Sequence, residues 1–122
     1  MIEYKKSITR EYVRKNPHKT FLFGDNVMGE GLGGQAKEMR GEPNAVGIPT
    51  KKKPSMSDDS FFTDDEIILN TICIDLAFKQ VYKLANKIIV IPEDGLGTGL
   101  AQLPKRAPKT YAYLQNILET LE

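Results

Sequence analysis

The run IIVIP at residues 88–92 is the feature that most constrains the fold of this chain. Five consecutive apolar residues are typical of a strand buried on both faces, as in a parallel sheet covered by helices. A second apolar strand is predicted at 20–24 (TFLFG), and shorter strands are predicted at 1–7 and 44–50. Because helical patterns separate these strands, we expect an α/β fold of three layers, with a mixed but mainly parallel sheet flanked by helices.

Four helical patterns complete the chain, at residues 8–16, 34–40, 63–84 and from about 104 to 121. The third pattern is the clearest, because Thr63 and Glu66 have the spacing of a capping box. Apolar residues recur around so much of this helix that we expect it to be largely buried. The polar segment 51–62 between strand and helix is predicted to be a loop.

Composition excludes several classes of protein. A length of 122 residues suits a single domain over 1–122, and the net charge of +1 favours neither a nucleic-acid nor a membrane partner. Cys73 is the only cysteine, so no disulfide framework or cysteine-based zinc site is expected, and we predict that it is buried. No apolar run approaches the length of about 20 residues needed to span a bilayer. We therefore expect a cytoplasmic, monomeric protein without metal or cofactor.

Two glycine clusters follow apolar strands in the same order: strand, acidic residue, glycines, helix. The first is FLFGDNVMGEGLGGQA and the second is IVIPEDGLGTGLAQL. Carboxyl ends of parallel strands share one edge of a sheet, so the two loops are expected to face one cleft. Glycine-rich backbone before a helix N-terminus offers free N–H groups and about half a positive charge to a phosphate. An alternative is that the glycines only serve tight turns with positive φ.

Common phosphate-binding motifs fit poorly. The P-loop pattern G-x-x-x-x-G-K-[ST] does not occur, and residues 29–34 match a dinucleotide fingerprint only loosely. A nucleotide phosphohydrolase is not favoured either, because no paired-carboxylate box for magnesium is seen.

From Phe21 to Leu121 the chain resembles a macro domain, specifically the compact branch that contains single-domain ADP-ribosyl-carboxylate hydrolases. The resemblance lies in D-x-x-M-G-x-G at 25–31, the pair Thr50 and Lys51, and G-x-G-L at 97–100. It implies a macro fold in which both glycine loops hold the diphosphate of ADP-ribose, or of an ADP-ribosylated substrate, with the distal ribose near the first loop. The ligand-binding residues expected on this basis are Asp25, Asn26, Met28, Gly29, Gly31, Gly33, Gly34, Asn44, Thr50, Asp94, Gly95, Leu96, Gly97, Thr98, Gly99 and Leu100.

The same resemblance leaves catalysis open. Lys51 matches the lysine that attacks the anomeric carbon in hydrolases of the branch, but Ala101 stands where the branch has its catalytic aspartate. Asp25 is a candidate replacement base, with Asn26 and Asn44 orienting ribose hydroxyls. The alternative for Asp25 is a turn-capping role. Both an ADP-ribosyl hydrolase and a non-catalytic binder remain open.

A different class of function is an interaction module for nucleic acid or protein that uses the basic run Lys51 to Lys53. Phe61 and Phe62 are expected either to cover a ligand or to anchor the loop, and His18 to lie in a surface turn. If the glycine clamp is correct, Gly31→Val and Gly97→Val should block binding and leave the fold intact.

Overall fold

The computed structural model describes residues 1–122 and contains one four-stranded sheet in which every neighbouring pair is parallel. The strands are β1 (Ile2–Lys5), β2 (Lys19–Asn26), β3 (Ala45–Lys51) and β4 (Ile88–Pro92), and they lie in the order β1-β4-β2-β3. The expected α/β class is confirmed, with a sheet that is wholly parallel. β4 occupies an inner position, as its unbroken apolar sequence predicts.

Five helices connect or follow the strands. They are α1 (Arg10–Lys15), α2 (Ala36–Met39), α3 (Ile67–Leu84), α4 (Leu103–Arg106) and α5 (Pro108–Thr120). Two short 3₁₀ turns, Asp58–Ser60 and Asp64–Glu66, precede α3. None of these helices combines the length and the apolar character needed to cross a bilayer.

Alternate residues of the strands pack into two separate cores on opposite faces of the sheet. Leu22, Ile89 and Ile91 belong to the larger core, which α3, α4 and α5 complete. Phe21 and Val90 belong to the smaller core, which α1 and α2 complete. Because successive strand side chains point to opposite faces, each inner strand serves both cores, and the three expected layers follow.

The helix predicted from about 104 to 121 is interrupted at Ala107, where φ is −146° and ψ is 68°. Pro108 explains the break, since the residue before a proline is disfavoured in the α region. α4 and α5 are therefore two helices rather than the single one expected.

The start of α3 also differs from expectation. Thr63 makes no side-chain capping hydrogen bond, residues 64–66 form a 3₁₀ turn, and Glu66 is paired with Lys52. The capping box was therefore wrong, because Glu66 finds a cation across the 51–62 loop and does not reach back to the Thr63 backbone.

The expectation that α3 is largely buried was wrong for one of its faces. Ile74 and Phe78 lie in the larger core, whereas Ile68 is 75% exposed and Ile72 is 49% exposed. α3 packs on the sheet and on α5 from one side only, and nothing covers its outer side. Cys73 is accordingly half-buried rather than buried.

Candidate functional site

A cavity of about 660 Å³ opens at the carboxyl ends of β2 and β4. Four segments line it: the end of β2, residues 30–36 with Arg40, the segment from Thr50 to Met56, and the loop from Asp94 to Ala101. The two glycine clusters thus share one cleft at the edge of the sheet where ligands of parallel α/β folds bind.

Arg40 organises the first glycine loop. Its Nε donates to the Gly31 carbonyl (2.8 Å), and its two terminal nitrogens donate to the carbonyls of Gly29 (2.8 Å) and Glu30 (3.2 Å). The same nitrogens bind both carboxylate oxygens of Asp25, at 2.6 and 3.0 Å. All five N–H groups of the guanidinium are therefore used within the protein.

Asp25 is consequently an anchor of this loop. Its side chain is 10% exposed, and its Oδ1 also accepts from the Asn26 amide at 2.8 Å. The carboxylate raises the pKa of Arg40, through their hydrogen bonds first and their charges second. Both carboxylate oxygens of Asp25 are engaged by Arg40 and one also by the Asn26 amide, so the predicted role of Asp25 as a free base is corrected to a structural one.

Backbone geometry requires some of the glycines of the second loop but not all of them. Gly95 and Gly97 have φ of 93° and 76°, and a Cβ on Gly97 would approach Thr50 and Leu103 to 3.0 Å. Gly99 has neither constraint, because its φ is not positive and a Cβ would meet no atom within 4 Å. Turn geometry therefore explains two of the three glycines. The same reasoning corrects the expectation that Gly97→Val and Gly31→Val leave the fold intact, because Gly31 has φ of 92° and a Cβ there would lie 3.2 Å from Pro54.

Each loop contains a run of main-chain amides that have no internal partner. No N–H group from Glu30 to Gln35 or from Leu96 to Ala101 donates a hydrogen bond within the protein. Buried or cleft-lining amides normally find an acceptor, so two such runs form a receptive surface for an anion. The expected contribution of helix dipoles is wrong, however, because α2 and α4 have only four residues each.

Gln35 joins the two loops, a role that its local sequence hardly indicates. Its Oε1 accepts from the Gly24 amide at 2.7 Å, and its Nε2 donates to the Gly95 carbonyl at 3.1 Å. The only local signal is that a long polar side chain directly follows the glycines of GLGGQA. The bridge fixes the end of β2 against the second loop.

Asn26 presents an acceptor without a partner. Its Nδ2 donates to the Glu30 carbonyl at 2.8 Å, but its buried Oδ1 has no hydrogen-bond partner, and the residue is 8% exposed. Asn26 lines the cavity beside Lys51, with which it is paired across β2 and β3. A ligand with an O–H or N–H donor would satisfy this oxygen.

Asn44 does not belong to the site. It lies before β3 at the amino edge of the sheet, and its Nδ2 donates to the carbonyls of Val13, Asn16 and Lys19. The predicted contact with ribose is therefore wrong, because the sheet separates Asn44 from the cleft. Met28, Gly29, Gly95 and Leu96 also do not line the cavity, although Gly29 and Gly95 accept the bonds that shape its loops.

Lys51 lies at the cavity wall. Its Nζ donates to the Ser55 carbonyl at 2.6 Å and sits 4.7 Å from the centre of the Phe61 ring. The Arg106 guanidinium contacts the same ring at 3.7 Å. Burial, and then the positive charge of Arg106, lower the pKa of Lys51, which increases its neutral, nucleophilic fraction.

The rest of the 51–62 segment is held by internal contacts. Lys52 pairs with Glu66, and Lys53 pairs with Asp59 at 3.0 Å. Phe61 and Phe62 are 1% and 2% exposed, so they anchor the loop and do not cover the cleft. His18 is exposed, as expected of a surface turn, and no three His, Cys, Asp or Glu side chains converge as metal ligands.

Fold and cleft together define a small, parallel α/β domain with a candidate anion site at the carboxyl edge of its sheet. Residues 3–117 match the model of a family of unknown function (DUF7831), and the chain belongs to that family. No curated protein and no solved structure matches it.

Proposed function

We propose that this protein binds ADP-ribose or an ADP-ribose derivative through its two glycine loops, as the resemblance to macro domains implies. The observation that carries the proposal is the pair of unpartnered amide runs, 30–35 and 97–101, on one cavity of about 660 Å³. Two adjacent phosphates present many acceptor oxygens to such amides, and a volume of this size suits a nucleotide-sized ligand.

The same cavity also offers contacts for the ribose and the base of the ligand. Asn26 lines the cavity, and its buried, unpartnered Oδ1 is chemically suited to a ribose hydroxyl rather than to a phosphate oxygen. Leu32, Met56 and Leu100 line the cavity and are all more than half exposed, so they offer apolar surface for a base. A nucleotide sugar combines these three features, and inorganic phosphate has only one of them.

Binding is better supported than cleavage. The pKa of Lys51 is shifted in the direction that favours a nucleophile, but Asp25 is bound to Arg40, and Ala101 lines the cavity at the position where the macro-domain branch has its catalytic aspartate. The other carboxylates at the cavity, Glu30 and Asp94, are exposed. The basic-loop module is less favoured, because Lys52 and Lys53 are already paired with acidic residues.

Titration calorimetry with ADP-ribose tests the proposal, with AMP and NAD as comparators in the same buffer. We expect a dissociation constant in the micromolar range for ADP-ribose, about −8 kcal/mol, and weaker binding of AMP because it lacks the second phosphate and the distal ribose. No heat from any of the three ligands would refute the proposal. Incubation of the protein with an ADP-ribosylated peptide, followed by analysis of the products, would then distinguish a binder from a hydrolase.

A further inference from the structure

We propose that Arg40 is a positioning residue that sets the first glycine loop in its anion-binding conformation. This inference rests on the proposed function, because it assigns the cause of the amide arrangement on which that function depends. Arg40 binds three consecutive carbonyls of the loop, those of Gly29, Glu30 and Gly31.

The direction of the loop amides follows from these contacts. All peptide bonds of the chain are trans, and in a trans peptide the carbonyl and the N–H group point in opposite directions. Carbonyls 29, 30 and 31 point at the guanidinium, so the N–H groups of Glu30, Gly31 and Leu32 point away from it. These three residues line the cavity, and none of their N–H groups has an internal acceptor.

The guanidinium is itself held in place from the opposite side. Its ion pair with Asp25 ties it to the end of β2, and its carbon lies 5.5 Å from the centre of the Phe23 ring. The side chains of Arg40 and Asp25 are only 21% and 10% exposed. Because all five N–H groups are used, Arg40 has no donor left for a ligand, and its contribution is to shape the loop.

Lysine cannot replace arginine in this arrangement. A guanidinium presents five N–H donors in a rigid plane, whereas an ammonium presents three donors from a single point. Arg40→Lys retains a cation beside Asp25 but cannot reach three carbonyls and two carboxylate oxygens together. The loop would then lose the contacts that turn its amides outward.

Arg10 provides a matched control. Its guanidinium also binds main-chain carbonyls at α2, those of Lys37 and Arg40, and it pairs with Glu42 at 2.6 Å. Arg10 does not contact the glycine loop or line the cavity. Arg10→Gln therefore perturbs the same helix and removes an ion pair of similar exposure without touching the proposed anion site.

The experiment compares wild type, Arg40→Lys and Arg10→Gln by calorimetry with ADP-ribose and by amide chemical shifts in the ligand-free protein. For Arg40→Lys we expect an affinity loss of about tenfold or more, together with shift changes at residues 30–32. For Arg10→Gln we expect affinity within about twofold of wild type, even where its thermal stability falls further. Equal affinity losses in both variants, or unchanged shifts at 30–32 in Arg40→Lys, would overturn the proposal.

Two further measurements keep the outcome decisive. If Arg40→Lys does not fold, Asp25→Asn replaces it, because this variant weakens the ion pair that anchors Arg40 and keeps the guanidinium. We expect a smaller loss of ADP-ribose affinity with shift changes at the same residues. Wild-type shifts and wild-type affinity in Asp25→Asn would contradict the positioning role of Arg40. If wild type binds no ADP-ribose, the proposed function fails, and the ligand-free shifts still test whether Arg40 sets the loop.

Discussion

Gly99 is the glycine of the second loop for which the fold has no visible need. Gly95 and Gly97 adopt positive φ, and Gly97 also packs too closely on Thr50 and Leu103 to admit a side chain. Gly99 lines the cavity, with open space at the position of a Cβ. An absent side chain at such a position serves access to the main chain, which is what an anion site requires.

Gly99→Val should therefore separate binding from stability. We expect it to lower the affinity for ADP-ribose by about tenfold or more, because the side chain would stand beside the free amides. Its free energy of unfolding should stay within about 0.5 kcal/mol of wild type, since no atom is displaced. Calorimetry and urea unfolding measure the two quantities.

Gly41→Val is the opposite control. Gly41 has φ of 90° and lies outside the cavity, so valine there should cost about 1–2 kcal/mol of stability and leave affinity unchanged. Wild-type affinity in Gly99→Val would show that the second loop does not contact the ligand.

Site residues could be predicted from the sequence where a glycine-rich backbone motif defines the site, but the hydrogen-bond partners of side chains could not. Asn44 is predicted to orient a ribose hydroxyl, and only the tertiary structure shows that it binds the end of α1. Arg40 looked like the last residue of a helix, because nothing in its spacing reveals that residues 29–31 fold back onto it. Such contacts depend on where a loop turns, which local sequence does not determine.

Among the elements, α5 begins with a cap that comes from a distant segment. The Asp64 carboxylate accepts from the amides of Lys109 and Thr110, at 2.9 and 3.0 Å, and from the Thr110 hydroxyl. These are the second and third residues of α5, the positions that an N-cap side chain normally satisfies. Burial alone would raise the pKa of Asp64, but these hydrogen bonds outweigh it and hold the pKa below its usual value.

Asp64→Asn should destabilise the protein in a pH-dependent way. A lowered pKa in the folded state means that the carboxylate stabilises the fold fully above its unfolded-state pKa, near 3.9. This stabilisation is lost as the pH falls through the folded-state pKa. Both carboxylate oxygens accept hydrogen bonds and Asn replaces one of them by an NH2 group, so we expect Asp64→Asn to cost about 0.5–1.5 kcal/mol at pH 7 and less at pH 3, measured by urea unfolding.

Asp65→Asn is the matched control, because Asp65 is the exposed neighbour in the same 3₁₀ turn. Its unfolding free energy should track wild type at both pH values. An Asp64→Asn deficit that is equally large at pH 3 would argue against the charged cap.

Elements were predictable where periodicity is strong, and their ends were not. β4 has the bounds 88–92 that its apolar run predicts, and each of the four predicted strands is present. The ends of α3 and α5 depend on Glu66 pairing with Lys52 and on Asp64 reaching across to α5. Both are tertiary contacts that override a local capping pattern.

For the whole molecule, Gln35 is the direct link between the two sides of the cleft. It connects the end of β2 to the second loop through one hydrogen bond to each. A rigid separation between two anion-binding runs limits the cost of ordering them when a ligand arrives. The bridge therefore bears on affinity as well as on stability.

Gln35→Glu should weaken this link selectively. A carboxylate still accepts from the Gly24 amide but cannot donate to the Gly95 carbonyl, so we expect about tenfold weaker ADP-ribose binding. We also expect a stability loss of about 0.5–1.5 kcal/mol. Gln35→Met, which adds no charge, should shift affinity in the same direction, and Gln80→Glu on the exposed side of α3 controls for net charge. Unchanged affinity in both Gln35 variants would show that the loops do not need the bridge.

For the whole molecule, the three layers were predictable because helices alternate with strands. The shared position of the glycine clusters was predictable because a parallel sheet brings them to one edge. The strand order was not, because local sequence does not determine which strands pair with β4, and only the packing shows that β4 lies between β1 and β2. The exposure of one face of α3 could not be predicted either, because apolar spacing does not tell which side of a helix packs on the sheet.

The position of β4 between β1 and β2 has a consequence for how the chain is made. Ile2 pairs with Ile89 and Phe21 pairs with Val90, so neither β1 nor the β4-facing side of β2 has a partner until residues 88–92 have left the ribosome. The sheet contains no hairpin that could form earlier, and such long-range pairing slows folding. The cleft accordingly comes into being late in synthesis, and a bound ligand would stabilise only molecules that have completed this step.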